Sequence, residues 1–164
     1  VLFGDGAGAV VLEASDTPGI LASDLHADGR HLEILCTPGT VAGGKVSGQP
    51  LLKMDGPAVF KLAVTRMPEV TREVLSRHGY TLDELDLLVM HQANLRINEA
   101  AQKALGLPDS KVHHNIYEYG NTTSATLPLC FHEARAAGKA PPGSLVAFTA
   151  LGAGLHWGAA LMRV

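Results

Sequence analysis

A fully apolar run, Leu87-Leu88-Val89-Met90, that stops at His91 constrains the fold of this chain more than any other feature. A short apolar run bounded by polar residues predicts a strand buried on both faces, as in sheets that carry helices on each side. The residues that follow, 92–97, open a helical pattern. His91 therefore stands at a strand end, the edge where α/β proteins bind ligands.

Two more strand ends carry notable residues. A polar cluster at 115–124 contains Asn121, and the glycine-rich run 151–154 follows the apolar strand 145–148. Histidine can exchange a proton or donate to an oxyanion, an asparagine amide can donate to the same oxygen, and a glycine-flanked turn exposes backbone N–H groups. The three features fit chemistry on a thioester or another acyl carbonyl. On local sequence alone, a satisfied histidine and an ordinary turn asparagine remain open alternatives.

Periodicity and turn residues predict the order of elements. In the first half we expect strands at 7–13 and 19–27 forming a hairpin or adjacent pair, a long loop at 29–52, and a helix from Pro57 toward Gly79 that kinks or restarts at Pro68. A short helix start at 81–84, a strand at 86–90 and a helix at 96–105 should follow. The remaining elements are a short strand at 111–115, a helix at 124–137, and closing strands at 144–150 and 155–164. Strands that alternate with helices before a terminal hairpin predict a mixed sheet in a layered α/β architecture.

Composition narrows the class of protein. The 164 residues are 46% hydrophobic with a formal net charge of −3, which predicts one globular domain without a general attraction to nucleic acid or membrane. No apolar run is long enough to span a bilayer. Two distant cysteines, Cys36 and Cys130, suggest neither a zinc site nor a disulfide, and favour a reducing, cytoplasmic setting. The chain starts at Val1 without a methionine, and we expect it to be the later part of something longer.

Neither cysteine is expected to be a nucleophile, because Cys36 lies in a Thr-Pro-Gly loop and Cys130 on a helix between apolar residues. The glycine-rich run 4–9 is not expected to bind nucleotide, since a strand-like run follows it instead of a helix.

Five segments carry recognisable motifs: FGDGAGAV at 3–10, MDGPAVFK at 54–61, HQANLRI at 91–97, YGNTTSA at 119–125 and GAGLHWG at 152–158. In this order they resemble the C-terminal half of β-ketoacyl-acyl carrier protein synthase III, and the match covers nearly the whole chain. The resemblance implies a thiolase-like layered fold, a mixed sheet flanked by helices, and a homodimer. It assigns residues 1–164 to the C-terminal half-domain, with 1–52 leading in from an N-terminal half.

The resemblance also implies a decarboxylative Claisen condensation that starts fatty-acid synthesis without a cofactor or metal. A cysteine of the N-terminal half would take the acyl group of a primer acyl-CoA and condense it with malonyl-acyl carrier protein. His91 and Asn121 would bind the malonyl thioester oxygen, and the backbone N–H at Ala153 would serve the acyl oxyanion hole. The pantetheine channel would be lined by Gly56, Phe60, Ala93 and Asn94.

Docking of an acidic carrier protein requires local positive charge. Arg96 and Lys103 are seven residues apart and share a helix face, and Lys61 lies on the other helix that would flank the channel. We therefore expect these three residues to form the docking surface, with ordinary solvated charges as the alternative.

Departures from the pattern leave other functions open. The nucleophile is absent, Leu151 stands where Phe is common, His156 replaces the usual Thr, and Thr123-Ser124 replaces the frequent Ser-Ala. A homologue of secondary metabolism with a different primer and a noncatalytic half that dimerises or binds carrier protein are the alternatives. A Cys-His-Asn hydrolase is disfavoured because its local cysteine motif is missing. The strand at 86–90 and the closing strands are apolar along their length, which predicts that both of their faces are covered. The resemblance implies that the N-terminal half covers one of these faces.

Overall fold

The computed structural model describes residues 2–17 and 19–164. Its strands are β1 (Ile20–Ala27), β2 (Leu35–Cys36), β3 (Thr40–Ala42), β4 (Lys45–Ser47), β5 (Lys53–Met54), β6 (Leu87–Met90), β7 (Leu145–Gly152) and β8 (His156–Arg163). Its α-helices are α1 (Gly56–Arg77), α2 (Leu95–Leu105), α3 (Ile116–Tyr119) and α4 (Thr126–Ala136). Short 3-10 helices cover Gly29–Ile34, Asp109–Lys111 and Thr123–Ala125.

A four-stranded mixed sheet of order β1-β8-β7-β6 forms the centre of the fold. The closing strands β7 and β8 pair antiparallel, as their alternation and the glycine turn between them predict, and β1 pairs antiparallel with β8. Strand β6 pairs parallel with β7, with Leu87 opposite Val146 and Met90 opposite Thr149. The parallel pair brings the carboxyl ends of β6 and β7 to the same edge of the sheet.

Helices cover both faces of β6. Leu88 and Met90 belong to the core beneath α1 and α2, whereas Leu87 and Val89 pack with the α4 residues Cys130 and Ala134. All four residues of β6 are fully buried within this one chain. For β6, the expectation that a second half supplies one cover is therefore wrong, because helices of this chain cover both of its faces.

The two helices beside the candidate site begin and end where their sequences indicate. Asp55 caps α1 through Oδ1, which accepts the Ala58 N–H at 3.0 Å, and Asn94 caps α2 in the same way toward Arg96. Gly106, with φ 70°, ends α2 in the left-handed conformation that glycine adopts readily. Helix α1 continues through Pro68 without restarting, since its buried face packs on the sheet and outweighs the missing hydrogen bond.

The predicted strand at 7–13 does not form. Residues 2–4 instead hydrogen-bond to Asn121, and Gly6 and Gly8 lie against Thr122 and Pro128, so the segment enters beside α4 and does not pair with β1. Val10, Val11 and Leu12 consequently stay exposed. The predicted hairpin with 19–27 is wrong for the same reason, and Pro18 between the two segments lies outside the described residues.

Three other local predictions need correction. The expected loop at 29–52 contains the β3–β4 hairpin, because Gly43 and Gly44 both have positive φ, as a two-residue hairpin turn requires. The expected strand at 111–115 reduces to a single bridge between Val112 and Leu88. The side chain of Glu84 accepts hydrogen bonds from Thr81 as in a capping box, but the segment is a turn and no helix follows.

Among residues 2–17 and 19–164, no helix has the length and apolar character needed to cross a membrane.

Leu161 of β8 is fully buried in the core beneath α1, whereas Leu51 is exposed in a loop. We predict that Leu161→Ala lowers the free energy of unfolding by about 2–5 kcal/mol, because it removes buried methyl groups and leaves a cavity. Leu51→Ala is the matched control and should change it by less than about 0.5 kcal/mol. Urea denaturation followed by circular dichroism measures both, and equal effects would contradict the burial described here.

Candidate active site

The backbone of His91 is fixed by the end of the parallel strand pair. Its N–H donates to Thr149 O at 2.9 Å, one step beyond the last paired residues of β6 and β7. The next side chain, Gln92, is fully buried; its Nε2 donates to Met90 O at 2.8 Å and its Oε1 accepts the Asn115 N–H at 3.2 Å. These bonds join the strand end to the loop that carries Asn121.

The His91 ring is held at one nitrogen and free at the other. Its Nδ1 lies 2.6 Å from Thr126 Oγ1. Among the described residues, nothing hydrogen-bonds to Nε2, and this atom is accessible to solvent. Burial disfavours the charged imidazolium and lowers the pKa of His91, so the ring is neutral near pH 7.

Asn121 is locked by three hydrogen bonds. Its backbone N–H donates to Leu2 O at 3.1 Å, and its carbonyl accepts the Gly4 N–H at 3.0 Å. Its side-chain Oδ1 accepts the Thr123 N–H at 2.8 Å. Because a backbone N–H can only donate, this bond fixes the amide orientation and leaves the Asn121 NH₂ group available as a donor.

Thr123 links the two candidate catalytic side chains. It has φ 54°, an uncommon value for a β-branched residue, and such strain costs about 1–3 kcal/mol. In this conformation its N–H reaches Asn121 Oδ1 while its carbonyl accepts Thr126 Oγ1–H at 2.8 Å. A continuous hydrogen-bonded chain therefore runs from His91 through Thr126 and Thr123 to Asn121.

The turn between β7 and β8 presents backbone donors at the same edge. Ala153 is exposed, and no acceptor among the described residues hydrogen-bonds to its N–H. Its carbonyl accepts His156 Nδ1–H at 2.7 Å. Gly154, with φ 135°, must be glycine because a Cβ there would overlap the His156 ring. The Ala153 N–H is thus free to bind a ligand oxygen.

A cavity of about 850 Å³, within the usual size of small-molecule sites, brings most of the predicted residues together. It is lined by His91, Asn121 and Ala153 and by the four predicted channel residues Gly56, Phe60, Ala93 and Asn94. Apolar side chains such as Leu52, Met54 and Phe148 supply much of the remaining wall. None of the described residues that line it is an Asp, Glu, Lys or Arg, so the cavity is apolar apart from a few donors and acceptors.

The predicted docking residues lie outside this lining. Lys61, Arg96 and Lys103 are all exposed, on α1 and α2. The Arg96 guanidinium lies 5.9 Å from the ring centroid of Phe60, a residue of the cavity wall, and this places Arg96 at the margin of the cavity. Positive charge therefore adjoins the cavity without entering it.

Neither cysteine lines the cavity. The Cys130 thiol is buried and donates to His113 O at 3.2 Å, and burial raises its pKa to about 12. Cys36 is half-buried in the β2–β5 pair. Within the described parts of the chain, no cluster of three or more His, Cys, Asp or Glu side chains has the geometry to hold a metal ion.

Sequence analysis did not identify two residues that support the site. Thr126 hydrogen-bonds to His91, and Gln92 joins the strand end to Asn115. The signal for Thr126 is a hydroxyl five residues after Asn121, at the start of a helix that must pack against β6. Gln92 could have been suspected as a polar residue directly after a fully buried strand.

Comparison with models of protein families assigns the chain to a family. The model of the 3-oxoacyl-[acyl-carrier-protein] synthase III C-terminal domain matches residues 75–164, and the model of 3-oxoacyl-[acyl-carrier-protein] synthase III matches residues 1–29.

Solved structures agree with this assignment. The 3-oxoacyl-[acyl-carrier-protein] synthase III of Aquifex aeolicus is 39% identical, with a TM-score of 0.81 over 93% of this chain and 46% of that one. The β-ketoacyl-[acyl carrier protein] synthase III of Thermus thermophilus is 38% identical, with a TM-score of 0.83 over 93% of this chain and 48% of that one. The priming β-ketosynthase of the R1128 polyketide biosynthetic pathway is 33% identical, with a TM-score of 0.80 over 91% and 46%.

The chain thus spans about half the length of these solved structures and shares their mixed sheet with flanking helices. With its thiolase-like fold, it belongs to the 3-oxoacyl-[acyl-carrier-protein] synthase III family of condensing enzymes.

Proposed function

We propose that this chain is the C-terminal half of an acyltransferase that condenses a primer acyl-CoA with malonyl-acyl carrier protein and so starts fatty-acid synthesis. The observation that carries the proposal is the placement of His91, Asn121 and the Ala153 backbone around one apolar cavity. His91 Nε2, the Asn121 NH₂ group and the Ala153 N–H are each without a hydrogen-bond partner among the described residues.

The condensation requires donors at an oxygen that becomes negative. Loss of carbon dioxide from a malonyl thioester leaves an enolate, whose oxygen the Asn121 amide and a protonated His91 Nε2–H would stabilise. Donors already held in place cost no reorganisation, and one such donor is worth about 10²–10³ in rate. The cavity also favours decarboxylation because its lining has no charged side chain among the described residues to stabilise the leaving carboxylate.

The acyl-transfer step requires a thiol that neither Cys36 nor Cys130 provides. We assign it to a cysteine of an N-terminal half, whose acyl group would be attacked by the enolate while the Ala153 N–H stabilises the tetrahedral oxyanion. Gly56, Phe60, Ala93 and Asn94 would line the pantetheine channel that leads to this point. The reaction needs neither a metal nor a cofactor, since decarboxylation itself generates the carbon nucleophile.

The carrier protein would dock at the channel mouth through Lys61, Arg96 and Lys103. The position of Arg96 over the Phe60 ring supports this assignment, because it sets a positive charge beside the opening. We further propose that the complete enzyme is a cytoplasmic homodimer.

A second candidate within the family is condensation with a different primer in secondary metabolism. The 33% identity to a polyketide priming synthase favours it, as do Leu151 and His156, which line the cavity where they would alter its shape. Assays of the complete enzyme with acetyl-, branched-chain and aromatic acyl-CoA distinguish the two. A half that only dimerises or binds carrier protein would show no transfer with any primer.

We predict that His91→Ala and Asn121→Ala in the complete enzyme each lower malonyl decarboxylation by about 10²–10³, since each removes one enolate donor. Acylation of the proposed cysteine should remain detectable by mass spectrometry. His132→Ala, which changes an exposed histidine on α4, is the control and should behave as the parent enzyme. Decarboxylation at the parent rate in His91→Ala would remove the role proposed for this residue.

We predict that Arg96→Glu raises the apparent KM for malonyl-acyl carrier protein several-fold, because it repels an acidic partner. The effect should shrink as salt is added, and the KM for acyl-CoA should change little. Arg135→Glu, an exposed site on α4 on the opposite side of the sheet, is the matched control. Equal increases for both substrates would point to a general defect of the cavity and count against docking at Arg96.

We predict that the chain expressed alone neither condenses nor transfers acyl groups and associates in solution. Val10, Val11 and Leu12 are 71–94% exposed, an apolar segment that the proposed N-terminal half would cover. Co-expression with that half should restore solubility and activity, measured by light scattering and acyl-transfer assay. A soluble monomer that acetyl-CoA acylates at Cys36 or Cys130 would instead make this chain an independent acyltransferase.

A further inference from the structure

The hydrogen bonds around Thr126 determine which nitrogen of His91 carries the proton. Thr126 Oγ1 lies 2.8 Å from the Thr123 carbonyl and 2.6 Å from His91 Nδ1. A carbonyl can only accept, so the single hydroxyl proton of Thr126 is directed to Thr123. Thr126 therefore has only lone pairs to offer to His91, and Nδ1 must be the donor.

The opposite arrangement is disfavoured by the same contacts. If Nδ1 accepted the hydroxyl proton, the Thr126 and Thr123 oxygens would face each other at 2.8 Å with no proton between them. Thr126 is only 2% exposed, so water could not easily relieve that repulsion.

We propose that Thr126 is a positioning residue that holds neutral His91 as the Nδ1–H tautomer and thereby presents the lone pair of Nε2 to the cavity. The resting histidine is then a proton acceptor at the reaction centre. It becomes a donor to a substrate oxygen only after Nε2 has taken up a proton. The burial that lowers the pKa of His91 keeps this acceptor form populated near neutral pH.

The inference deepens the proposed function and rests on it for its chemical consequence. The S–H proton of the proposed cysteine would move to Nε2, and the resulting thiolate would attack the acyl-CoA carbonyl. The carbon–sulfur bond to CoA would break as the new thioester forms, and CoA would leave as a thiolate that takes a proton from water. The imidazolium keeps its Nε2–H, which can then donate to the malonyl thioester oxygen.

The other titratable side chains on the cavity wall are His26, which is paired with Glu73, and His156, which donates to Ala153 O. His156 also has an Nε2 without a partner among the described residues, but it is exposed. His91, by contrast, is half-buried and is linked through Thr126 and Thr123 to Asn121.

The link through Thr123 extends the effect to Asn121. The same residue that receives the Thr126 hydroxyl proton at its carbonyl orients the Asn121 amide through its N–H. One short segment, residues 121–126, thus sets the hydrogen-bonding polarity of both side chains.

The tautomer can be read directly by long-range ¹H–¹⁵N spectra of the complete protein labelled with ¹⁵N-histidine, at about pH 8 where histidines are neutral. The His91 signals are those that His91→Ala removes. We expect a protonated Nδ1 and an unprotonated Nε2 in the parent and in Thr126→Ser, which keeps the hydroxyl. In Thr126→Val the proton should move to Nε2, because Nδ1–H would lose its acceptor. Thr126→Ala replaces the valine variant if the latter does not fold.

Partial reactions provide a second readout. Thr126→Val should slow acyl transfer to the cysteine by on the order of 10², the usual worth of a positioned base, and should slow malonyl decarboxylation much less. Thr126→Ser should recover most of the acyl-transfer rate. Equal losses in both reactions would indicate a merely structural role and overturn the inference.

Failure of this inference and failure of the proposed function give different results. Nε2–H in the parent protein, or an unchanged tautomer in Thr126→Val, overturns the inference even if the protein condenses acyl groups. A protein without condensing activity whose His91 tautomer follows the Thr126 hydroxyl overturns the proposed function and leaves the positioning role intact.

Discussion

The parallel pairing of β6 with β7 is the constraint on which the rest of the structure depends. Both faces of β6 are covered, so its backbone groups have no water and must bond within the sheet. The register of this pair continues to the His91 N–H and Thr149 carbonyl, and it fixes where the strand ends. A shift by one residue would exchange the faces of Leu87 and Leu88 and turn His91 away from the cavity.

The hydrogen bonds that orient His91 and Asn121 leave one nitrogen of each side chain free to bind a ligand. Thr126 occupies Nδ1 of His91, and the Thr123 N–H occupies Oδ1 of Asn121. The Thr123 carbonyl can only accept and the Thr123 N–H can only donate, so the remaining nitrogen of each side chain has a defined character. The positive φ of Thr123 is the cost of this arrangement, and the buried hydrogen bonds on both sides of it hold the conformation.

The apolar surface of the chain divides into a covered part and an uncovered part. Helices α1 and α2 pack on one face of the sheet and α4 covers the other face at β6, whereas Val10, Val11 and Leu12, and also Ile20 and Leu25 of β1, remain exposed. For β6, the expectation of an uncovered strand overlooked α4, which is apolar enough at Cys130 and Ala134 to cover Leu87 and Val89. The uncovered apolar surface lies in the segment that enters the fold beside Asn121 and on β1.

The sequence by itself determined the elements whose signals are local. An unbroken apolar run identified β6, a helical pattern that ends at Gly106 located α2, and glycines at 152–154 marked the turn between the closing strands. It also singled out His91 and Asn121 as polar residues near predicted strand ends, and the family resemblance added Ala153. Only the tertiary structure decided that residues 7–13 enter beside α4 and do not pair with β1, since the strand propensity of a segment has no effect without a free partner edge. It alone brought Thr126 to His91 across 35 residues of sequence, because the meeting of a helix start and a strand end depends on how α4 packs on β6 and has no period or motif in the chain.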